Sequence, residues 1–68
     1  MSTVAKVIEV STSSNKSIED AVQSGLTKVA SSVKNLRGAW VNDIKCITTP
    51  EGKITEWRVN MRVNFIVD

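Results

Sequence analysis

The side chains in this sequence that could do chemistry are few, and their types narrow which chemistry that is. There is no His and a single Cys among the 68 residues. The commonest general base, the commonest metal ligand and any intramolecular disulfide are therefore absent. Cys46 has neither a His nor a second Cys near it in sequence, so nothing activates it as a nucleophile, and a small buried residue is the better reading. Asp43, Glu51, Glu56 and Asp68 are scattered carboxylates, and a metal site would need several of them to converge across subunits. No Gly-rich phosphate loop, catalytic triad or zinc spacing occurs, so the sequence argues against an enzyme. Binding chemistry remains. Trp40 offers a plane for stacking, Arg58 and Arg62 offer forked donors for a phosphate, and Lys45 offers a point charge. Each also has a plainer role: Trp40 could pack in a subunit interface or lie against Arg62 as a cation–π pair. The arginines could pair with Glu56 or Glu51 of another subunit, and Lys45 could simply be solvated.

The elements that must position these residues follow from the hydrophobic periods. Val4 to Val10 is rich in β-branched residues with Lys6 and Glu9 among them, which predicts a strand. The polar cluster Ser11 to Ser17 interrupts it and supplies helix caps. From Ile18 the period becomes helical: Ile18, Val22, Leu26, Val29, Val33 and Leu36 recur at steps of three and four, with Ala21, Gly25 and Ala30 beside them. That stripe predicts a helix of about five turns ending at Gly38. Glu19 and Asp20 sit in its first turn and Lys34 and Arg37 near its end, as the helix dipole favours. Ser17 with Asp20 is a weaker form of the capping box.

After Gly38 the period drops to two. Ala39 and Val41 face one way, Trp40 and Asn42 the other; Ile44, Cys46 and Thr48 then continue the apolar face one residue out of step. A β-bulge near Asn42-Asp43 accounts for the slip. Thr49-Pro50-Glu51-Gly52-Lys53 is a turn. Thr55, Trp57, Val59, Met61, Val63, Phe65 and Val67 then alternate strictly with Glu56, Arg58, Asn60, Arg62 and Asn64, which predicts a long strand with one apolar and one polar face. Trp57, within that apolar run, is a core or interface residue. The fold class is α+β: a β-α-β-β chain in which a three-stranded antiparallel sheet wraps one long helix, as a single domain over residues 1–68. The opposite sheet face carries Trp40, Arg58, Asn60, Arg62 and Asn64, with no element left to cover it.

Bulk properties agree with a small assembling domain. At this length a monomer buries only about 60% of the surface its unfolded chain exposes, and with no disulfide available, oligomerisation is the remedy left. A formal charge of +2 is too weak to argue for nucleic acid by itself, and one stackable Trp makes a single-strand binder a poor third reading. No signal peptide and no apolar run of membrane-spanning length is read, so a cytoplasmic protein without membrane contact is expected; a lone thiol suits that compartment.

Lys6-Val7-Ile8-Glu9-Val10 followed by Ser13-Ser14, Ser17-Ile18-Glu19-Asp20-Ala21-Val22, Leu36, Val41 with Ile44-Lys45, Trp57-Arg58-Val59 and Met61-Arg62-Val63-Asn64-Phe65 together resemble the dodecin family along nearly the whole chain. The resemblance implies a hollow homododecamer. It also implies a non-enzymatic storage or buffering role, with flavin (FMN or riboflavin) stacked between tryptophans near the two-fold axes. Carried over without gaps, the flavin-stacking Trp position falls on Gly38, two residues before Trp40. The position whose Gln meets the flavin ring edge holds Arg58. Lys45 matches a basic residue near the flavin phosphate, whereas a second basic position holds Ile66. The cofactor-binding candidates are therefore Trp40, Gly38, Lys45 and Arg58. The departures leave an alternative from a divergent branch of the family: a shell that takes no flavin and is structural, or binds an anion or a divalent cation such as calcium at subunit interfaces.

Overall fold

A computed structural model describes residues 2–67 and contains β1 (Val4–Ser14), α1 (Ile18–Ala30), β2 (Leu36–Thr48) and β3 (Ile54–Val67). The sheet order is β1-β3-β2, with both pairings antiparallel. The strand with the strictest alternation therefore lies in the middle, where it is flanked on both sides and one face must be covered. Val59, Met61 and Val63 are fully buried along its inner face. The expected β-α-β-β architecture is present.

Helix α1 supplies the cover. Its N-terminus is capped by Ser17, whose side chain accepts a 3.0 Å hydrogen bond from the Asp20 amide. The Asp20 carboxylate accepts from Ser14 Oγ at 2.7 Å, and the same hydroxyl accepts from the Lys16 amide at 2.9 Å. Ser14 is only 8% exposed, so this knot ties the end of β1 to the first turn of the helix. Ala21, Val59, Met61 and Val63 form the buried core, with Ile8, Val10, Ile18, Val22, Leu26 and Val29 packed against it. Gly25 lets the helix approach closely. A Cβ there would collide with Thr12 Cγ2 and Met61 Cε, and Thr12 cannot turn away easily because its hydroxyl donates to the Ala21 carbonyl at 2.7 Å.

Two boundaries differ from the sequence expectation. The first strand does not stop at Val10 but runs to Ser14, because Ser11, Thr12, Ser13 and Ser14 find partners in Asn60, Val59, Arg58 and Trp57 of β3. Pairing outweighs the local capping tendency of the hydroxyl cluster. The helix ends at Ala30 rather than continuing past Val33. Ser31 Oγ donates back to the Lys28 carbonyl at 2.6 Å, and the amides of Ser32 and Val33 both bond to the Val29 carbonyl. Asn35 then takes a left-handed φ of 60°, and Leu36 enters β2 opposite Phe65. Gly38 is thus a strand residue and not the helix stop. Lys28, in place of Lys34 or Arg37, is the basic residue of the last turn.

The shorter helix has a consequence for coverage. Its 13 residues span ~20 Å, whereas the 14 residues of β3 span ~48 Å. It packs on β1 and β3. Along the inner face of β2, Val41 and Ile44 stay exposed, Ile44 at 52%. Cys46, read from sequence as buried, is exposed on this face opposite Trp57, because the helix packs over β1 and β3 instead.

Candidate functional site

The outer face of the sheet is built in cross-strand rows, and the register says which residues share each row. Gly38 stands opposite Asn64, which faces Val7 on β1. Trp40 stands opposite Arg62, which faces Glu9. The register then slips at Asn42, between Val41 and Asp43. That bulge moves Asp43 and Lys45 onto the same face as Gly38 and Trp40; in a regular strand they would point at the helix side. Asp43 therefore joins Asn60 and Ser11, and Lys45 joins Arg58 and Ser13.

The last two rows border an open concavity of about 470 Å³, lined by Ser11, Ser13, Asp43, Lys45, Glu56, Arg58 and Asn60 with an edge of Thr12. Ser11 Oγ donates to Asn60 Oδ1 at 2.6 Å. Arg58 Nε donates to the Glu56 carboxylate two residues along the same strand. Arg58 thus has an acidic partner within its own chain, where the sequence reading placed that partner in another subunit. Lys45 and Arg58, directly opposed like charges, are balanced by Asp43 and Glu56. The concavity is polar and zwitterionic rather than basic.

Of the four cofactor-binding candidates, the structure brings Lys45 and Arg58 side by side in the concavity. Gly38 and Trp40 lie on the same face, in neighbouring rows beyond the bulge. Trp40 is 59% exposed. At Gly38 a Cβ would meet only Asn64 Nδ2, at 4.0 Å, and that amide donates to the Gly38 carbonyl at 3.0 Å. The Gly38 position is therefore open and offers no plane of its own. The plane nearest to it along β2 is the indole of Trp40. These residues fit a planar ligand held on Trp40, and do not fit one stacked at position 38 or met by an amide at position 58. Sequence reasoning placed Asn60 on this face but missed Ser11 and Ser13 as lining residues. The signal was present in the alternation of Ser11 and Ser13 with Thr12 and Ser14, but it was hidden once the strand was ended at Val10.

Among the described residues no three Cys, Asp or Glu side chains come together, and Asp68 lies outside those residues. Nor is any described helix long and apolar enough to cross a membrane.

A helix on one side of a three-stranded sheet, with the other side bare and lined by polar side chains and an exposed indole, defines a small protein of the β-α-β-β class with one open sheet face. The chain belongs to the dodecin family, whose model matches residues 4–68. The fold is closely similar to that of an Arg-to-Ala variant of Thermus thermophilus dodecin, with a TM-score of 0.90, 24% identity and 98% of each chain covered. It is equally similar to dodecin from Streptomyces davaonensis, with a TM-score of 0.90 and 22% identity over 100% of this chain and 98% of that one. Dodecin from Streptomyces coelicolor matches with a TM-score of 0.88 and 20% identity over 97% and 93% of the two chains. No curated protein matches this sequence. Family membership puts the chain among small proteins whose family-level property is ligand binding, flavin in particular.

Proposed function

We propose that this protein is a non-enzymatic ligand-binding and storage shell: a cytoplasmic homododecamer that sequesters flavin, as FMN or riboflavin, on the outer faces of its sheets. The observation that carries this reading is the uncovered face on which the exposed Trp40 and the Lys45–Arg58 concavity stand a few rows apart. Rows two apart are four residues along the strand, ~13 Å. A ring at Trp40 and an anionic tail toward Lys45 fall within that reach. Assembly is supported by the exposed apolar strip of Val41 and Ile44, which a single chain leaves in water. The unpaired thiol of Cys46 suits a reducing compartment.

Two measurements test the proposal. Size exclusion with light scattering should give about twelve subunits, and a stable monomer would remove the shell. The freshly purified oligomer should absorb in the visible, or quench flavin fluorescence on titration; a colourless sample that leaves FMN fluorescence unchanged would remove flavin. A second reading is favoured by Gly38, which lacks a stacking plane, and by Arg58, whose guanidinium is already held by Glu56 and carries no acceptor atom of its own. In it the shell takes no flavin, and is structural or holds an anion or a divalent cation such as calcium where subunits meet. Calorimetric titration with phosphate and with calcium separates its versions, heat from neither leaving the structural one.

A further inference from the structure

Strand β2 lies at an edge of the sheet, so the backbone N–H and C=O groups on its outer side find no ladder partner within the chain. Every residue from Val41 to Cys46 is exposed, on both faces of the strand. Ile44 stands on the inner face, opposite Val59. Its neighbours Asp43 and Lys45 stand on the outer face, opposite Asn60 and Arg58. Among the described residues no hydrogen bond or ion pair engages either of these two charges, whereas Arg58 is held by Glu56. A regular stretch of edge strand thus presents an apolar side chain on one face, flanked on the other by a carboxylate and an ammonium two residues apart.

That pattern is complementary to itself. When two copies of one strand pair antiparallel about a two-fold axis normal to the sheet, the residue on the axis meets its own copy and its neighbours exchange partners. An axis at Ile44 sets Asp43 opposite the partner's Lys45, and Lys45 opposite the partner's Asp43. An axis at Asp43 would oppose two carboxylates and one at Lys45 two ammonium groups, both of them destabilising. The other edge carries no such pattern: β1 has a single charge on its outer face, Glu9, while Lys6 falls on the inner face opposite Phe65.

We propose that β2 pairs with β2 of a second copy, antiparallel about a two-fold axis at Ile44, joining two three-stranded sheets into one of six strands. Two reciprocal Asp43–Lys45 pairs lock the register on the outer face, and the two Ile44 side chains close against each other on the inner face. The bulge at Asn42 and the register shift after Ile47 end the ladder on either side. The ladder is therefore short and depends on those side chains. Asp43 and Lys45 also border the concavity, so the pairing sets two concavities side by side across the axis. The inference rests on the shell reading above and adds a contact from which the shell is built.

The test reverses the charges in the full chain and follows assembly by size exclusion with light scattering over a dilution series. Asp43→Lys turns both pairs into opposed ammonium groups, and Lys45→Asp turns both into opposed carboxylates. Each should dissociate toward smaller species at protein concentrations about tenfold or more above those that dissociate the wild type, and the difference should narrow as salt is raised. Asp43→Lys combined with Lys45→Asp should restore the wild-type behaviour. The axis is read separately by Ile44→Cys in a Cys46→Ser background. Facing residues of antiparallel strands lie about 4.5–5.5 Å apart at Cα, within disulfide range, so copper-catalysed air oxidation should join two chains. The wild type, whose Cys46 lies away from the axis, should stay unlinked. Single reversals that assemble like the wild type, or that the double reversal does not rescue, overturn the Asp43–Lys45 register. Absence of a cross-link at Ile44→Cys overturns the axis. Either result leaves the shell standing, whereas a wild type that is a stable monomer overturns both.

Discussion

The two faces of β3 obey the same alternation and have opposite fates. Val59, Met61 and Val63 point inward and are fully buried, whereas Arg58, Asn60 and Arg62, their immediate neighbours, point outward into solvent. The inner row is held by packing against α1 and leaves little freedom of residue type. The outer row is held by its backbone pairing and a few polar contacts such as Ser11–Asn60 and Arg58–Glu56, none of them packed under the helix, so its side chains can change with little disturbance of the fold. A fold of this kind can therefore keep one architecture while the residues of its outer face change.

The largest expected effect comes from breaking the inner row. Met61→Ala removes a fully buried side chain that touches both the core and the closest point of the helix, and should cost about 2–5 kcal/mol. Asn60→Ala, one residue away on the other face, should stay within about 0.5 kcal/mol. Urea midpoints compared at one protomer concentration, because assembly couples stability to concentration, check both. Equal losses would mean that the outer face is itself buried in the assembly and that the contrast drawn from one chain does not hold.

The same contrast explains what was legible beforehand. The inner face is a matter of hydrophobic period, and period is a property of one segment; the alternation from Thr55 to Val67 and the stripe from Ile18 to Val29 can be seen directly. Even the bulge at Asn42 shows as a slip in that period. The outer site is a matter of register. Ser13, Arg58 and Lys45 come from three separate segments, and only the β1-β3-β2 order brings them into one row. The missed boundaries have the same origin. Ser11 to Ser14 suit a strand and a cap about equally, and their partners in β3 decide the outcome. The helical period runs on through Val33 and Leu36, but Ser31 and the left-handed Asn35 stop the helix, and Leu36 keeps its apolar role as a strand residue.

A second way to sharpen the comparison is to thicken the contact between helix and sheet. Gly25→Ala should improve intrinsic helix propensity by about 1 kcal/mol. The added methyl meets Thr12 and Met61, however, and overpacking of that kind costs about 1–3 kcal/mol. Thr12 is anchored through its hydroxyl to Ala21, so relief must come from Met61 or from a shift of the helix. A net loss of stability, up to about 2 kcal/mol, is the expected result in thermal or urea unfolding. A net gain would show that helix and sheet can separate slightly at no cost, and that the tight packing inferred at Gly25 is soft.

The smallest effect should come from the one ion pair of the concavity. Glu56→Gln removes the carboxylate that holds Arg58, and because both side chains are substantially exposed the stability change should be about 0–1 kcal/mol. Its electrostatic effect should be the more visible one. Among the charged residues lining the concavity, Lys45 and Arg58 are balanced by Asp43 and Glu56; without Glu56 the two opposed cations outnumber the remaining carboxylate, and the site becomes receptive to an anion. Calorimetric titration with inorganic phosphate should therefore show tighter uptake by Glu56→Gln than by the wild type, fading as salt is raised. If uptake does not change, Asp43 and solvent already neutralise the pair of cations, and Glu56 orients Arg58 without setting the charge of the outer face.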